Sequence, residues 1–174
     1  MPGSSFSLGI SRDGAALATA LDNFVKAYNN TTGMVSTLGR YDAATDTAAP
    51  LQGDAALRGF GASLRTAAGA AYGAGELQTL SQLGVELQAD GKLAFDRSKF
   101  LELEAAQPAQ VVGLLGGEQG LAASVTRLTQ GYAGSEGVID SRKESLESRL
   151  KRVANDRVAL DRRLEVVEAR LRRQ

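Results

Sequence analysis

The sequence predicts a mainly α protein: a helical domain carrying one β-hairpin, followed by a long C-terminal coiled-coil helix. Three observations carry that reading. Apolar residues recur at helical spacing through most of the first 137 positions. Around Asp90-Gly91 the period switches to alternation, as a hairpin requires. Beyond Gly137 a 4-3 apolar repeat runs for more than four heptads without Gly or Pro. The length of 174 residues suits one ordinary domain with an appended helix. Residues 1–137 are therefore assigned to the helical domain, with the hairpin near 84–96, and residues 138–174 to the coiled-coil helix.

Asp13 is the expected N-cap of the first helix. Leu17, Leu21, Phe24, Val25, Tyr28, Val35 and Leu38 then mark one amphipathic face over about residues 14 to 38, with a bend expected near Thr31-Thr32-Gly33. Residues 41–50, rich in Ala, Thr and Asp, show no period and are expected to form a surface loop. Gly53-Asp54 precedes a second helix with Leu57, Phe60, Leu64 and Ala68 on one stripe, ended by the stretch from Gly69 to Gly75. Ala56, Gly59, Gly61, Ala62 and Ala67 surround that stripe. They permit close approach of another backbone, and equally describe a loosely packed helix of low propensity.

Register settles the hairpin loop. A two-residue loop would place Leu87 and Leu93 on opposite faces. A three-residue loop, Ala89-Asp90-Gly91, pairs Leu87 with Leu93 and Val85 with Phe95 on one buried face, with Gly91 in the left-handed position of a G1 bulge. Asp96 then caps a short helix carrying Phe100, Leu101 and Leu103, which stops before Pro108. Pro108 suits the first position of another short helix with Val111, Val112, Leu114 and Leu115, broken at Gly116-Gly117. Leu121, Val125, Leu128 and Tyr132 form one further stripe, closed by the turn between Gly131 and Gly137.

In the terminal segment Ile139, Leu146, Val153, Leu160 and Val167 fall seven apart and take the d positions. The a positions are Lys143, Leu150, Arg157, Leu164 and Leu171. A solitary helix with this seam leaves a long apolar stripe in water, so a partner helix is required. No other segment matches its length in heptad form, which places the partner outside this chain or on another subunit. Lys143 and Arg157 either fix register, orientation or strand number, or simply extend their stems over the seam.

Composition excludes most chemistry. There is no His and no Cys, which removes most triads, thiol chemistry, zinc sites and haem ligation, and offers no disulfide framework. Aromatics are 5% with no Trp, thin for base stacking. Twenty Lys plus Arg balance twenty Asp plus Glu, so no global field marks a nucleic-acid partner. Residues 140–174 hold eleven basic and seven acidic side chains, a net of +4, against nine and thirteen, a net of −4, before them. The two signs interleave there, as on a solvated, salt-bridged helix face. No stretch approaches the roughly 20 apolar residues of a membrane span. Met1-Pro2-Gly3-Ser4-Ser5 has neither the basic nor the apolar region of a signal peptide.

Asp90-Gly91 with Asp96 lacks the alternating carboxylates of a calcium loop. The glycines never form GxGxxG or a P-loop. Ser98 and Lys99 are helix neighbours that do not face each other, and Glu102 and Glu104 are expected on an exposed face. No catalytic, cofactor or metal site emerges, and the functional surface is expected to be one of packing and assembly.

Phe24-Val25-Lys26-Ala27-Tyr28-Asn29 resembles the FVxAYN segment of the flagellar hook-associated protein 2 family, the filament-cap proteins. Further motifs follow in the family's order: Tyr41-Asp42, Leu51-Gln52-Gly53-Asp54, Leu57-Arg58, Leu64-Arg65, Leu80 and Leu83-Gly84-Val85. Asp90-Gly91-Lys92-Leu93 with Asp96, and Gly137-Val138-Ile139 with Arg142 and Leu146, complete the set. The resemblance implies the C-terminal part of a cap protein, comprising a leg-like domain and one helix of a terminal coiled coil. It implies no enzyme activity and no cofactor. The implied location is extracellular, at the flagellar tip, after export by the flagellar type III apparatus without a cleaved signal peptide. The implied partners are flagellin, further copies in a homo-oligomer, and the N-terminal helix of the same protein. That last partner would cover Ile139, Leu146, Leu150, Val153, Leu160, Leu164, Val167 and Leu171. The family's head domains and N-terminal helix are missing, and its pattern continues past Gln174, so a fragment is expected. The competing reading is an intracellular coiled-coil adaptor with no flagellar role, which the ordered motifs upstream of the heptads disfavour. A hydrolase would need a polar cluster, and none is evident.

Overall fold

In the computed structural model, residues 13–73 and 75–173 are described; the Met1 to Ser5 segment lies outside them. The first helix, α1 (Gly14–Gly39), starts where Asp13 accepts the Ala16 N–H at 2.8 Å, and it runs unbroken through Gly33. A short hairpin, β1 (Tyr41–Asp42) and β2 (Thr47–Ala48), leads to α2 (Ala55–Gly69), capped by Asp54 at 3.0 Å from the Leu57 nitrogen. The second hairpin is β3 (Val85–Leu87) and β4 (Leu93–Phe95). Asp96 then caps α3 (Arg97–Ala106), accepting from the N–H groups of Ser98 and Lys99 at 3.0 Å each. Pro108 opens α4 (Pro108–Gly116), and α5 (Leu121–Ala133) and α6 (Val138–Leu171) follow. Such carboxylate caps are each worth about 1 kcal/mol. The chain divides into two compact units after Leu128, a boundary that α5 crosses.

One core holds the first unit. Helix α1 contributes Ala18, Leu21, Val25 and Tyr28, and packs on α2, β4 and α3. The largest fully buried side chains are Phe100, Leu80, Leu83, Leu114, Val85 and Val111. The Phe95 ring meets Phe100 edge-on at 5.8 Å. Small residues on both helices serve the close approach of α1 and α2: a Cβ on Gly61 of α2 would stand 3.1 Å from the Val35 Cγ1, and one on Gly39 of α1 3.2 Å from the Leu57 Cδ2.

The hairpin register agrees with the expected three-residue loop: Val85 faces Phe95 and Leu87 faces Leu93. Gln88 and Lys92 close the loop by a 2.8 Å main-chain bond, and Gly91 has φ +82°. Asn29 on α1 clamps this hairpin. Its Nδ2 donates to the Leu93 carbonyl at 2.8 Å and its Oδ1 accepts the Leu93 N–H at 2.7 Å. Gly84 opens the hairpin at φ +80°, and its carbonyl accepts the Asp96 N–H at 2.8 Å.

Three expectations are corrected. Residues 41–50 contain the β1–β2 hairpin, paired Tyr41 to Ala48 and Asp42 to Thr47. Its two-residue strands are too short and too exposed to leave an apolar period. Leu87, expected on the buried face, is exposed, because it stands at the loop end of the hairpin, beyond the core that takes in Val85 and Leu93. Glu104, expected to be exposed, is half-buried against the start of α1, where a Cβ on Gly14 would come within 2.5 Å of its Oε2. A carboxylate there complements the positive end of a helix that has no acidic residue in its own first turn.

Two glycine substitutions should move stability in opposite directions. Gly84→Ala strains a left-handed residue and sets its Cβ 2.9 Å from the Asp96 oxygen, so a loss of about 1–3 kcal/mol is expected. Gly33→Ala meets nothing within 4 Å in a helix interior, and a gain of about 0.5–1 kcal/mol is expected. Asn29→Ala should lose about 1–3 kcal/mol by leaving both Leu93 main-chain groups unpaired. Urea unfolding of the three variants beside the parent chain measures all of these.

Candidate functional site

The described residues hold no group of three or more acidic, His or Cys side chains able to bind a metal ion, and no helix long and apolar enough to cross a membrane. Asp90 and Asp96 have structural partners. Asp90 accepts the Lys92 N–H at 3.0 Å, and that bond holds its carboxyl below the ordinary carboxylate range. The main-chain nitrogens of Ser98 and Lys99 serve the Asp96 cap. What stands out is a surface.

Helix α6 is 34 residues, which makes it about 51 Å long. It begins after a turn in which Gly134 and Gly137 donate to Gln130 and Gly134, each at 2.9 Å. Gly137 must stay small: a Cβ there would lie 2.8 Å from the carbonyl oxygens of both Gly134 and Tyr132. Asp140 in the first turn and Arg170 in the last match the sign of the helix dipole. No residue of α6 is buried.

The eight apolar seam residues, Ile139, Leu146, Leu150, Val153, Leu160, Leu164, Val167 and Leu171, are all 46–69% exposed. The helical geometry brings them onto one stripe. Covering a Val or Leu side chain is worth roughly 1.5–3 kcal/mol, so the stripe is a strong demand for a partner. Lys143 and Arg157, the polar a positions, are exposed as well. Three further valines escape the heptad reading. Val138, Val158 and Val166 are 41%, 50% and 69% exposed and fall at c, b and c positions, off the seam. A count of apolar residues outside a and d would have found them. An exposed ion pair, Arg172 to Glu168 at 3.5 Å, lies near the helix end.

The sequence model described as the C-terminus of flagellar hook-associated protein 2 matches residues 2–174. The chain belongs to that family. Flagellar hook-associated protein 2 from Aeromonas caviae is 28% identical over 173 residues, covering 95% of this chain and 37% of the relative. The B-type flagellar hook-associated protein 2 of Pseudomonas aeruginosa is 27% identical, covering 99% of this chain and again 37% of the relative. The chain thus spans little more than a third of the length of these hook-associated proteins. Among solved structures, the D1-D2-D3 domains of the Escherichia coli flagellar cap protein FliD match 78% of this chain and 37% of their own, at 25% identity and a TM-score of 0.67. Flagellar hook-associated protein 2 is a structural family of the flagellum rather than an enzyme family.

Placing a charge on the seam tests its role. In the full-length parent, Leu160→Asp is expected to abolish pairing of the terminal helix. Circular dichroism should show reduced helicity and a lower melting temperature, and unchanged values would remove the coiled-coil assignment.

Proposed function

We propose that this chain is the C-terminal part of a flagellar filament cap. Residues 1–137 would form its leg domain and residues 138–174 one helix of its terminal coiled coil. The observation that carries the reading is the family match across residues 2–174, and the likeness to a protein described as a flagellar cap supports it. In the intact protein the α6 seam packs against a helix from the N-terminal end. Copies assemble as a homo-oligomer at the distal tip, reached by export through the flagellar type III apparatus without a cleaved signal peptide.

The work is mechanical. Leg domains touch neighbouring cap subunits and the flagellin at the filament end, and arriving flagellin folds and inserts beneath them. Weak, reversible contacts let the cap step forward as each subunit enters. Interfaces that exchange in this way are small and polar rather than large and apolar. The first unit suits that role, because its large apolar side chains turn mostly inward.

Deleting the parent gene and comparing flagellin in the medium with flagellin on the cells is the decisive test. The expected outcome is monomer spilled into the medium, with filaments short or absent. Normal filaments without leaked monomer would overturn the cap reading.

A further inference from the structure

The cations of α6 fall into two sets. Five of the nine have a carboxylate one turn away on the same helix, at the three- or four-residue spacing where helix neighbours pair. Lys143 and Lys151 stand either side of Glu147, Arg152 has Asp156, Arg157 has Asp161, and Arg162 has Glu165. The other four are Arg142, Arg149, Arg163 and Arg170, which are the arginines of the g positions. They form one of the two edges that flank the seam. Arg142 already has an interaction of its own, so the demand falls on the later three. Three and four residues from each of these, in either direction, the sequence holds only apolar, neutral or basic residues. Around Arg163, for instance, they are Ala159, Leu160, Val166 and Val167.

The opposite edge behaves differently. The e positions hold Asp140, Glu147, Ala154, Asp161 and Glu168, and every carboxylate among them has a basic residue one turn away. Asp140 has Lys143, Asp161 has Arg157, and Glu168 meets Arg172 at 3.5 Å. Asp156, the one acidic g residue, has Arg152. The acidic edge is compensated inside α6, and the arginine row is not. A helix laid on the seam runs its own edge along that row and takes water from it. Guanidinium groups held there against neutral or basic side chains lose hydration without gaining a partner. Carboxylates in the same places would meet them through charge-assisted, fork-like hydrogen bonds.

We propose that the helix seated on the α6 seam carries an acidic edge along Arg149, Arg163 and Arg170, and that this edge selects it among helices of similar apolar pattern. The inference rests on the reading of that occupant as the N-terminal helix of the same protein. It states the chemistry that helix brings: Asp or Glu at the edge positions facing the three arginines. A helix with lysines there would fill the seam equally well and be rejected by like charge.

Hydrogen exchange of the α6 amides in the full-length parent reads the pairing locally. Arg149→Glu with Arg163→Glu should speed that exchange about tenfold or more, as two attractive edge contacts become repulsive. Inside α6 the same change is neutral or favourable, because position 149 lies three residues from Arg152 and position 163 has no charged neighbour at helix spacing. Lost protection therefore reports the facing helix. The difference should shrink in about 1 M salt, where the screening length is about 3 Å. Replacing the facing Asp or Glu residues of the N-terminal helix by Arg on the double-variant background should restore protection. Unchanged or slower exchange in the double variant would overturn the proposal, and so would a reciprocal change that restores nothing. Leu160→Asp in the same experiment keeps the two readings apart. Fast exchange there beside no response to the charge reversals would remove this inference and leave the seam's occupant in place; no response to either would remove both.

Discussion

The first unit depends on one side-chain amide. Asn29 satisfies both main-chain groups of Leu93, 64 residues away, at 2.8 and 2.7 Å. A hairpin with three-residue strands is marginal by itself, and it needs a surface to lie on. The Asn29 amide gives it α1. Once β4 is fixed there, Val85 and Leu93 are held in the core with Phe100. Asp96, the next residue after β4, then closes the hairpin against Gly84 and starts α3 by capping it. Polar geometry sets the register, and the apolar core supplies the driving force behind it.

Regular elements with a strong period were the legible part of the chain. Asp13, Asp54, Asp96 and Pro108 mark helix starts by chemistry that acts within three residues, so each is visible in sequence. The hairpin register was also visible, because only the longer loop puts Val85, Leu87, Leu93 and Phe95 on one face. What stayed hidden is long-range or aperiodic. Tyr72 and Leu77 are core residues in a segment with no helix or strand, held by a bond from the Tyr72 nitrogen to the Gln78 carbonyl and by the Gln110 side chain on the Leu77 nitrogen. No local pattern announces such a segment. The Glu104 contact with the start of α1 and the Asn29 clamp were invisible for the same reason, since each joins distant parts of the chain. The seam of α6 lies at the other extreme, being plain in the heptads.

The two units differ in where their order comes from. The first unit draws on a shared core to which α1 to α5 contribute, so a change at Phe100 or Leu83 acts on it as a whole. Helix α6 has no buried residue, and its order rests on helix propensity, end charges and whatever covers its seam. That division suits a protein whose surface, rather than a pocket, carries its role.

The Asn29 to Leu93 span has a consequence for the order in which the chain acquires structure. A polypeptide delivered from its N-terminal end exposes α1 early, with the Leu21, Val25 and Tyr28 face bare, and Asn29 has no acceptor or donor until residue 93 has followed. Closing a loop of that size carries an entropic cost that local helix formation does not offset. The first helix must therefore wait through 64 further residues of synthesis or passage before it can lock.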